Sequence, residues 1–239
     1  MLVAILSDIH GNIEALDAVW QDMAPLPVDQ IVSLGDVVGY GPNPEEAVIS
    51  VREHDVVCCM GNHELGIVNA TERAWFNSTA QKGLGLTASL LSSESLRYIG
   101  SLPRFLCHAG ARFVHGFPPD SVTTYLFQVD DAALERWFAQ GEALTFVGHT
   151  HELGLVGWNG TEVVRRDLGR ERFMLDGSPC VINAGSVGQP RDGNNNAKYL
   201  LWNTQTDLIE VRFVPYDIER TVAKIRERGF PDYYATRLW

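Results

Sequence analysis

Leu2-Val3-Ala4-Ile5-Leu6-Ser7-Asp8-Ile9-His10-Gly11-Asn12 opens the chain with a continuous apolar run that ends in a cluster of polar donors. The run is short enough for a strand buried on both faces. After it, Ile13, Leu16, Val19, Trp20 and Met23 recur at helical spacing, and Gln30–Leu34 reads as a second strand. Asn43-Pro44-Glu45-Glu46 is a helix start, with a cap, a proline at the first helical position and acids in the first turn. That helix runs to about Arg52, and Asp55–Met60 is the third strand. A β-α-β-α-β rhythm predicts a parallel sheet with helices on its faces.

The junction at Asp8, where an apolar run gives way to donors, returns along the chain. Gly35-Asp36, Gly61-Asn62-His63-Glu64, His115-Gly116 and Gly148-His149-Thr150-His151 all sit where a hydrophobic run stops. In an open parallel sheet, ligands collect at the carboxyl ends of strands. Aspartate, asparagine and histidine are the oxygen and nitrogen donors of borderline divalent metals. His149 and His151, two apart in an extended segment, face one side. Gly11, Gly35, Gly61, Gly116 and Gly148 are expected to let the backbone turn away while a ligand points inward.

Residues Thr71–Gly100 read as mostly helical, an insertion that serves either as a lid or as ordinary packing. Arg112–His115 and Leu144–Gly148 are strands, with an acid-led helix over Asp130–Gln140 between them. Leu153–Trp158, Glu162–Arg166, Cys180–Asn183, Tyr199–Asn203 and Ile209–Val214 are further strands, and a last helix runs over Asp217–Arg228. Without repeats or long linkers, residues 1–239 are expected to form one domain of two sheets faced by helices. The tail Gly229–Trp239 packs either on the body or on a second subunit, and the oligomeric state stays open.

The chain of 239 residues is 45% hydrophobic and 21% charged, the balance of a globular protein with a sizeable core. Its net charge of -11 argues against stable nucleic-acid binding, which needs a basic face. Two divalent ions would still make a pocket positive enough for an anion. Cys58, Cys59, Cys107 and Cys180 form no C-x-x-C pattern, and the adjacent pair reads as small buried thiols. With no cationic leader and no membrane-length apolar stretch, the protein is expected to be cytoplasmic, with no membrane partner.

The order D-x-H-G-N, G-D, G-N-H-E, H-G, G-H-T-H resembles the calcineurin-like metallophosphoesterase superfamily over about residues 3–200. Gly35-Asp36-Val37-Val38-Gly39-Tyr40-Gly41-Pro42-Asn43-Pro44 and Gly185-Ser186-Val187-Gly188-Gln189-Pro190-Arg191-Asp192-Gly193 are similar to its small bacterial phosphodiesterase branch. The resemblance implies a four-layer α/β/β/α sandwich of two mixed sheets flanked by helices. It implies two divalent metal ions, one on Asp8, His10 and His151 and the other on Asn62, His115 and His149, with Asp36 bridging through its two oxygens. Manganese, iron, nickel and zinc all suit such sites. By the same resemblance His63 stays off the metals and protonates the leaving oxygen. Related protein phosphatases and symmetrical dinucleoside tetraphosphatases carry an arginine soon after the G-D pair, and the former also an aspartate that orients the histidine. Gly39 and Tyr40 stand at those places, which points away from both subfamilies.

Two further residues have rival readings. Asn12 either touches substrate phosphate or caps the following helix. Arg191 offers a fork to phosphate or pairs with Asp192 on the surface. The expected activity is hydrolysis of a small or nucleotide-like phosphodiester by a metal-bridging hydroxide. The alternatives are a phosphomonoesterase with the same centre and a non-catalytic scaffold or binding protein of the same fold.

Overall fold

The computed structural model describes residues 1–239. Strand β1 (Leu2–Leu6), helix α1 (Ile13–Met23), β2 (Gln30–Ser33), α2 (Pro44–Glu53) and β3 (Val57–Cys58) alternate as the apolar pattern predicts. Four helices follow, α3 (Asn62–Val68), α4 (Ala70–Arg73), α5 (Ser78–Leu90) and α6 (Ser93–Gly100). Next come β4 (Phe105–His108), β5 (Ala111–Val114), α7 (Asp131–Phe138) and β6 (Leu144–Val147). The sheets are completed by β7 (Leu153–Trp158), β8 (Val163–Asp167), β9 (Arg172–Met174), β10 (Cys180–Ala184), β11 (Ala197–Asn203) and β12 (Leu208–Val214). Helices α8 (Ile218–Glu227) and α9 (Asp232–Thr236) finish the described chain.

The strands form two six-stranded mixed sheets, ordered β3-β2-β1-β11-β12-β9 and β4-β5-β6-β10-β7-β8. Pairing is parallel in β1·β2, β2·β3, β5·β6 and β6·β10. All five donor motifs therefore leave strands whose carboxyl ends lie along one edge of each sheet.

Three apolar cores separate four layers. Alternation in β1 sends Val3 and Ile5 between the sheets, where they meet Phe113, Phe146, Ile182 and Leu200. Ala4 and Leu6 face the other way, onto Leu16, Val19, Val48 and Leu84 of the helices. On the far sheet Val147 and Val181 pack under Leu134, Trp137 and Phe138 of α7. The architecture is the α/β/β/α sandwich expected.

Several elements depart from the sequence reading. Only Val57 and Cys58 of the expected third strand are laddered, against Val32 and Ser33. Strand β4 was not expected. It pairs with β5 across Ala109-Gly110, whose φ values of 50° and 82° make a tight hairpin turn with a weaker sequence signal than Asn-Gly. Strand β9 is an edge of three residues on β12, too short to show a period. In the 71–100 stretch, Leu84, Leu91 and Ile99 belong to the helix-side core. The tail divides: Phe230, Tyr234 and Leu238 pack on α8, while Tyr233 and Trp239 stay exposed. No helix is long and apolar enough to cross a membrane.

Asp22 of α1 ties the helix layer to the sheet. Arg212 donates to both its oxygens at 3.1 and 2.7 Å, and the buried Tyr199 hydroxyl donates at 2.7 Å. Burial works to raise this carboxyl, but the hydrogen bonds from Arg212 and Tyr199 outweigh it and hold it below its usual range. Asp22→Ala is expected to cost about 1–2 kcal/mol at pH 7, since the carboxylate is partly screened. A lowered folded value makes this stability fully present above about pH 4 and lost as pH falls through the folded value. Urea unfolding of wild type and variant should therefore differ clearly at pH 7, with the difference shrinking as pH falls below the ordinary carboxylate range.

Candidate metal centre

Asp8 and His10 follow β1, Asp36 follows β2, and Asn62 and His63 open α3 just beyond β3. His115 follows β5, and His149 and His151 follow β6. Backbone bonds continue the sheet pairing into these loops: the Asp8 N–H donates to Gly35 at 3.1 Å and the His10 N–H to Asp36 at 2.8 Å. Six residues here, Asp8, His10, Asp36, Tyr40, His149 and His151, hold φ between 51° and 68°. Left-handed non-glycine backbone costs of order 1–3 kcal/mol per residue and gathers at functional sites. Of the five motif glycines, only Gly11 and Gly35 share that conformation. Gly148 is there for space instead, because a Cβ would lie 1.9 Å from the Ser7 hydroxyl.

All seven expected ligands converge and are buried. His10 Nε2 lies 3.1 Å from His151 Nε2, and Asp8 Oδ1 is 3.5 and 3.1 Å from those nitrogens. His115 Nε2 lies 3.2 Å from His149 Nδ1, 3.0 Å from Asn62 Oδ1 and 3.2 Å from Asp36 Oδ2. Asp36 Oδ2 is also 3.7 Å from His10 Nε2, so one oxygen faces both groups. Its other oxygen accepts the His63 N–H at 2.8 Å. Asp36 Oδ2 is thus the oxygen that faces both donor groups, while Oδ1 is engaged by the His63 backbone.

The donor set fits divalent metal on its own chemistry. Each of four histidines has its second nitrogen against a carbonyl: His10 on Val38, His115 on Leu34, His149 on Thr123 and His151 on Gln189, at 2.6–3.1 Å. Those carbonyls take the ring N–H and leave the other lone pair pointing inward. Two unprotonated nitrogens cannot hydrogen-bond each other across 3.1 Å, but a cation satisfies both. Asp8 Oδ1 is likewise buried with no hydrogen-bond partner. Burial pushes His149 down to about 3 and His151 down to about 4, so both are neutral near pH 7. Burial opposes ionisation of Asp8, yet His151 and His10 outweigh it and hold the carboxyl well below its usual range.

His63 stands apart. Its Nε2 is 4.0 Å from Asp36 Oδ2, and its buried Nδ1 has no hydrogen-bond partner. The ring is held by packing: Tyr40 at 4.4 Å, His10 at 4.8 Å and Phe76 at 5.5 Å, all tilted or edge-on. Gly39, with φ of 94°, passes so close that a Cβ would sit 2.0 Å from His63 Nδ1. The Gly39 backbone and the Tyr40 ring thus pack directly around the His63 imidazole.

The structure gives Asn12 and Arg191 different surroundings. Asn12 caps α1 by accepting from the Ala15 N–H, donates to the Gly188 carbonyl and accepts from Thr221. Its carbonyl oxygen is taken by two donors and one amide N–H by Gly188, so the capping reading is the one the structure displays. The surface pair Arg191–Asp192 is corrected, because Asp192 bonds the buried Lys198 at 2.6 Å. Arg191 donates to Gln189 at 3.0 Å and lies 5.7 Å from the centre of the Tyr40 ring, with its Nε unpartnered.

Glu64 and Asn183 were missed as site residues. The Glu64 carboxylate accepts the N–H groups of Asp36, Val38 and Gly61 at 2.8–3.1 Å, tying the bridging loop to α3. Burial, with Asp36 beside it, pushes it up to about 7. Asn183 donates to the Gly148 carbonyl and to Thr150, bracing the last ligand loop. The glutamate stood in the G-N-H-E motif as a visible signal; the asparagine, on an apolar strand, gave little.

Such donors at one edge of an α/β/β/α sandwich define the metallophosphoesterase class. The model of the calcineurin-like phosphoesterase superfamily domain matches residues 1–207, and the chain belongs to that family. An uncharacterized protein from Methanocaldococcus jannaschii is 34% identical, the match covering 100% of this chain and 97% of the relative. A metallophosphoesterase from Sphaerobacter thermophilus superposes with a TM-score of 0.86 at 33% identity, covering 100% and 98% of the two chains. A hypothetical protein from Pyrococcus horikoshii shares the fold, with a TM-score of 0.81 at 19% identity over 100% and 97%. Family membership implies a phosphoric ester hydrolase dependent on divalent metal.

Gly39→Ala should displace the His63 ring through the added Cβ while leaving every ligand in place. The expected result is unchanged metal content by elemental analysis and roughly a 100-fold loss of phosphoester hydrolysis, the scale of lost acid catalysis. Loss of metal in this variant would contradict packing as the device that orients His63.

Proposed function

We propose that the protein is a two-metal phosphodiesterase acting on a small or nucleotide-like phosphoester. The observation that carries this reading is the asymmetry among the five clustered histidines. Four have one nitrogen against a carbonyl and the other turned into a donor group, while His63 has neither nitrogen so held. Two cations, when bound, supply Lewis acidity and ease the ionisation of water. Asp8, His10 and His151 would hold one, Asn62, His115 and His149 the other, with Asp36 shared between them.

The protein's own groups account for the rest. His63 carries a proton beside Asp36 and releases it to the departing alcohol oxygen. Burial lowers its pKa well below the ordinary value, and an anionic phosphoester beside it works in the opposite direction. Arg191 offers its fork to a phosphoryl oxygen from the rim. The preference for diesters rests on a cavity whose lining includes the apolar side chains Leu65, Trp75, Phe76 and Ala80 and which opens beside Asn62 and His149. A second organic substituent finds contact there, whereas the extra charge of a monoester finds no added cation.

Metal-loaded protein should hydrolyse bis-p-nitrophenyl phosphate with a kcat/KM at least tenfold above that for p-nitrophenyl phosphate. Asp36→Asn should lose both metal and activity. His63→Ala should keep its metal and lose about 10²–10⁴ in kcat on poor leaving groups. Arg191→Ala should raise KM roughly tenfold with less effect on kcat. A monoester preference would move the reading to phosphomonoesterase. Turnover no greater than that of Asp36→Asn on a broad phosphoester panel would leave a binding protein.

A further inference from the structure

The cavity beside Asn62 and His149 has a volume of about 470 Å³, within the range of small-ligand sites. Its two sides differ in kind. On one, Tyr125 stacks on the ligand His149 at 3.8 Å and 13°, and Phe127 stacks on Tyr125 at 5.0 Å and 17°. Both faces of Tyr125 are therefore covered, and its edge is what meets the cavity. On the other side Trp75, between α4 and α5, is 84% exposed. A tryptophan face left in water at the mouth of a catalytic cavity is a vacant stacking platform. Phe76, next to it, lines the same space and packs edge-on against His63, so the proton donor lies directly behind that wall, next to the lining residue Asn62. Glu72, Asn77 and Thr123 add acceptors and donors along the walls.

We propose that this cavity receives the nucleoside leaving group of a phosphodiester, with its base stacked on Trp75. The inference rests on the phosphodiesterase reading and adds the chemistry of the leaving group. The position of His63 decides which half of the diester lies here, since the oxygen it protonates is the one that departs. In the balanced step, a water oxygen bonds to phosphorus and the bond from phosphorus to the nucleoside oxygen breaks. The His63 proton passes to that oxygen, the proton lost by water returns to solvent, and the products are a nucleoside and a phosphomonoester. Glu72 accepts from an exocyclic amine or ribose hydroxyl, which favours a nucleoside over a purely apolar ring.

The test compares adenosine, guanosine, cytidine and ribose as inhibitors of bis-p-nitrophenyl phosphate hydrolysis by metal-loaded protein. The same nucleosides are titrated against tryptophan fluorescence. At least one nucleoside should inhibit ten times more tightly than ribose and quench part of the emission. Trp75→Phe should keep that selectivity but abolish the quenching, and Trp75→Ala should reduce the selectivity roughly tenfold, the scale of one base–aromatic stack. Active enzyme with equal response to nucleosides and ribose would overturn this inference and leave the phosphodiesterase reading intact. Selectivity unchanged in Trp75→Ala would overturn it as well. Absence of any turnover would sink the phosphodiesterase reading, and the quenching titration alone would then decide whether the cavity takes nucleosides.

Discussion

Asp8 joins the two sheets, and the centre depends on that junction. Its N–H donates to the loop after β2, and its carbonyl accepts from Gly188 and Ser186 in the loop after β10. Its Oδ2 accepts from Ser7 and from the His149 N–H, which belongs to the other sheet's ligand loop. Only Oδ1 remains, aimed at His10 and His151. One side chain thus sets the distance between the two edges on which all the other donors stand. Asp8 is buried with a left-handed φ, and these bonds together oppose that backbone strain.

A chain with net charge -11 that binds an anion has to build its positive potential locally. The donors do this by staying uncharged where they can. Two carboxylates are ionised, Asn62 is neutral, and burial keeps His149 and His151 neutral. Divalent charge brought to such a set is only partly cancelled. His115 is the exception. Burial lowers it, but Asp36 outweighs burial and raises it to about 9, so a cation there competes with a proton for the same lone pair.

Much of the site was legible in order along the chain. Each ligand sits in a short motif at the end of an apolar run, and strand ends of parallel segments meet at one edge by topology. What stayed hidden shares a physical cause: it depends on partners far apart in sequence. Asn12 is committed to helix capping by Gly188 and Thr221, both more than 170 residues away. Arg191 is left without Asp192 as an ion-pair partner because Asp192 bonds Lys198, a residue that reads as ordinary strand sequence. Gly39 and Tyr40 show by their identity that the aspartate expected at that place in the related phosphatases has no counterpart here. That Tyr40, Phe76 and the empty side of Gly39 pack around His63 instead is visible only when they are brought together.

The sequence by itself determined the layered fold and the identity of the candidate donors, because hydrophobic period and donor type are local properties of the chain. The tertiary structure decided how the ligands divide and which oxygen of Asp36 faces both groups. It also decided which nitrogen of each histidine points inward and which aromatic faces remain open. Those choices are made by carbonyls, ring faces and hydrogen bonds from other segments, so they come into being only when the two sheets are packed together.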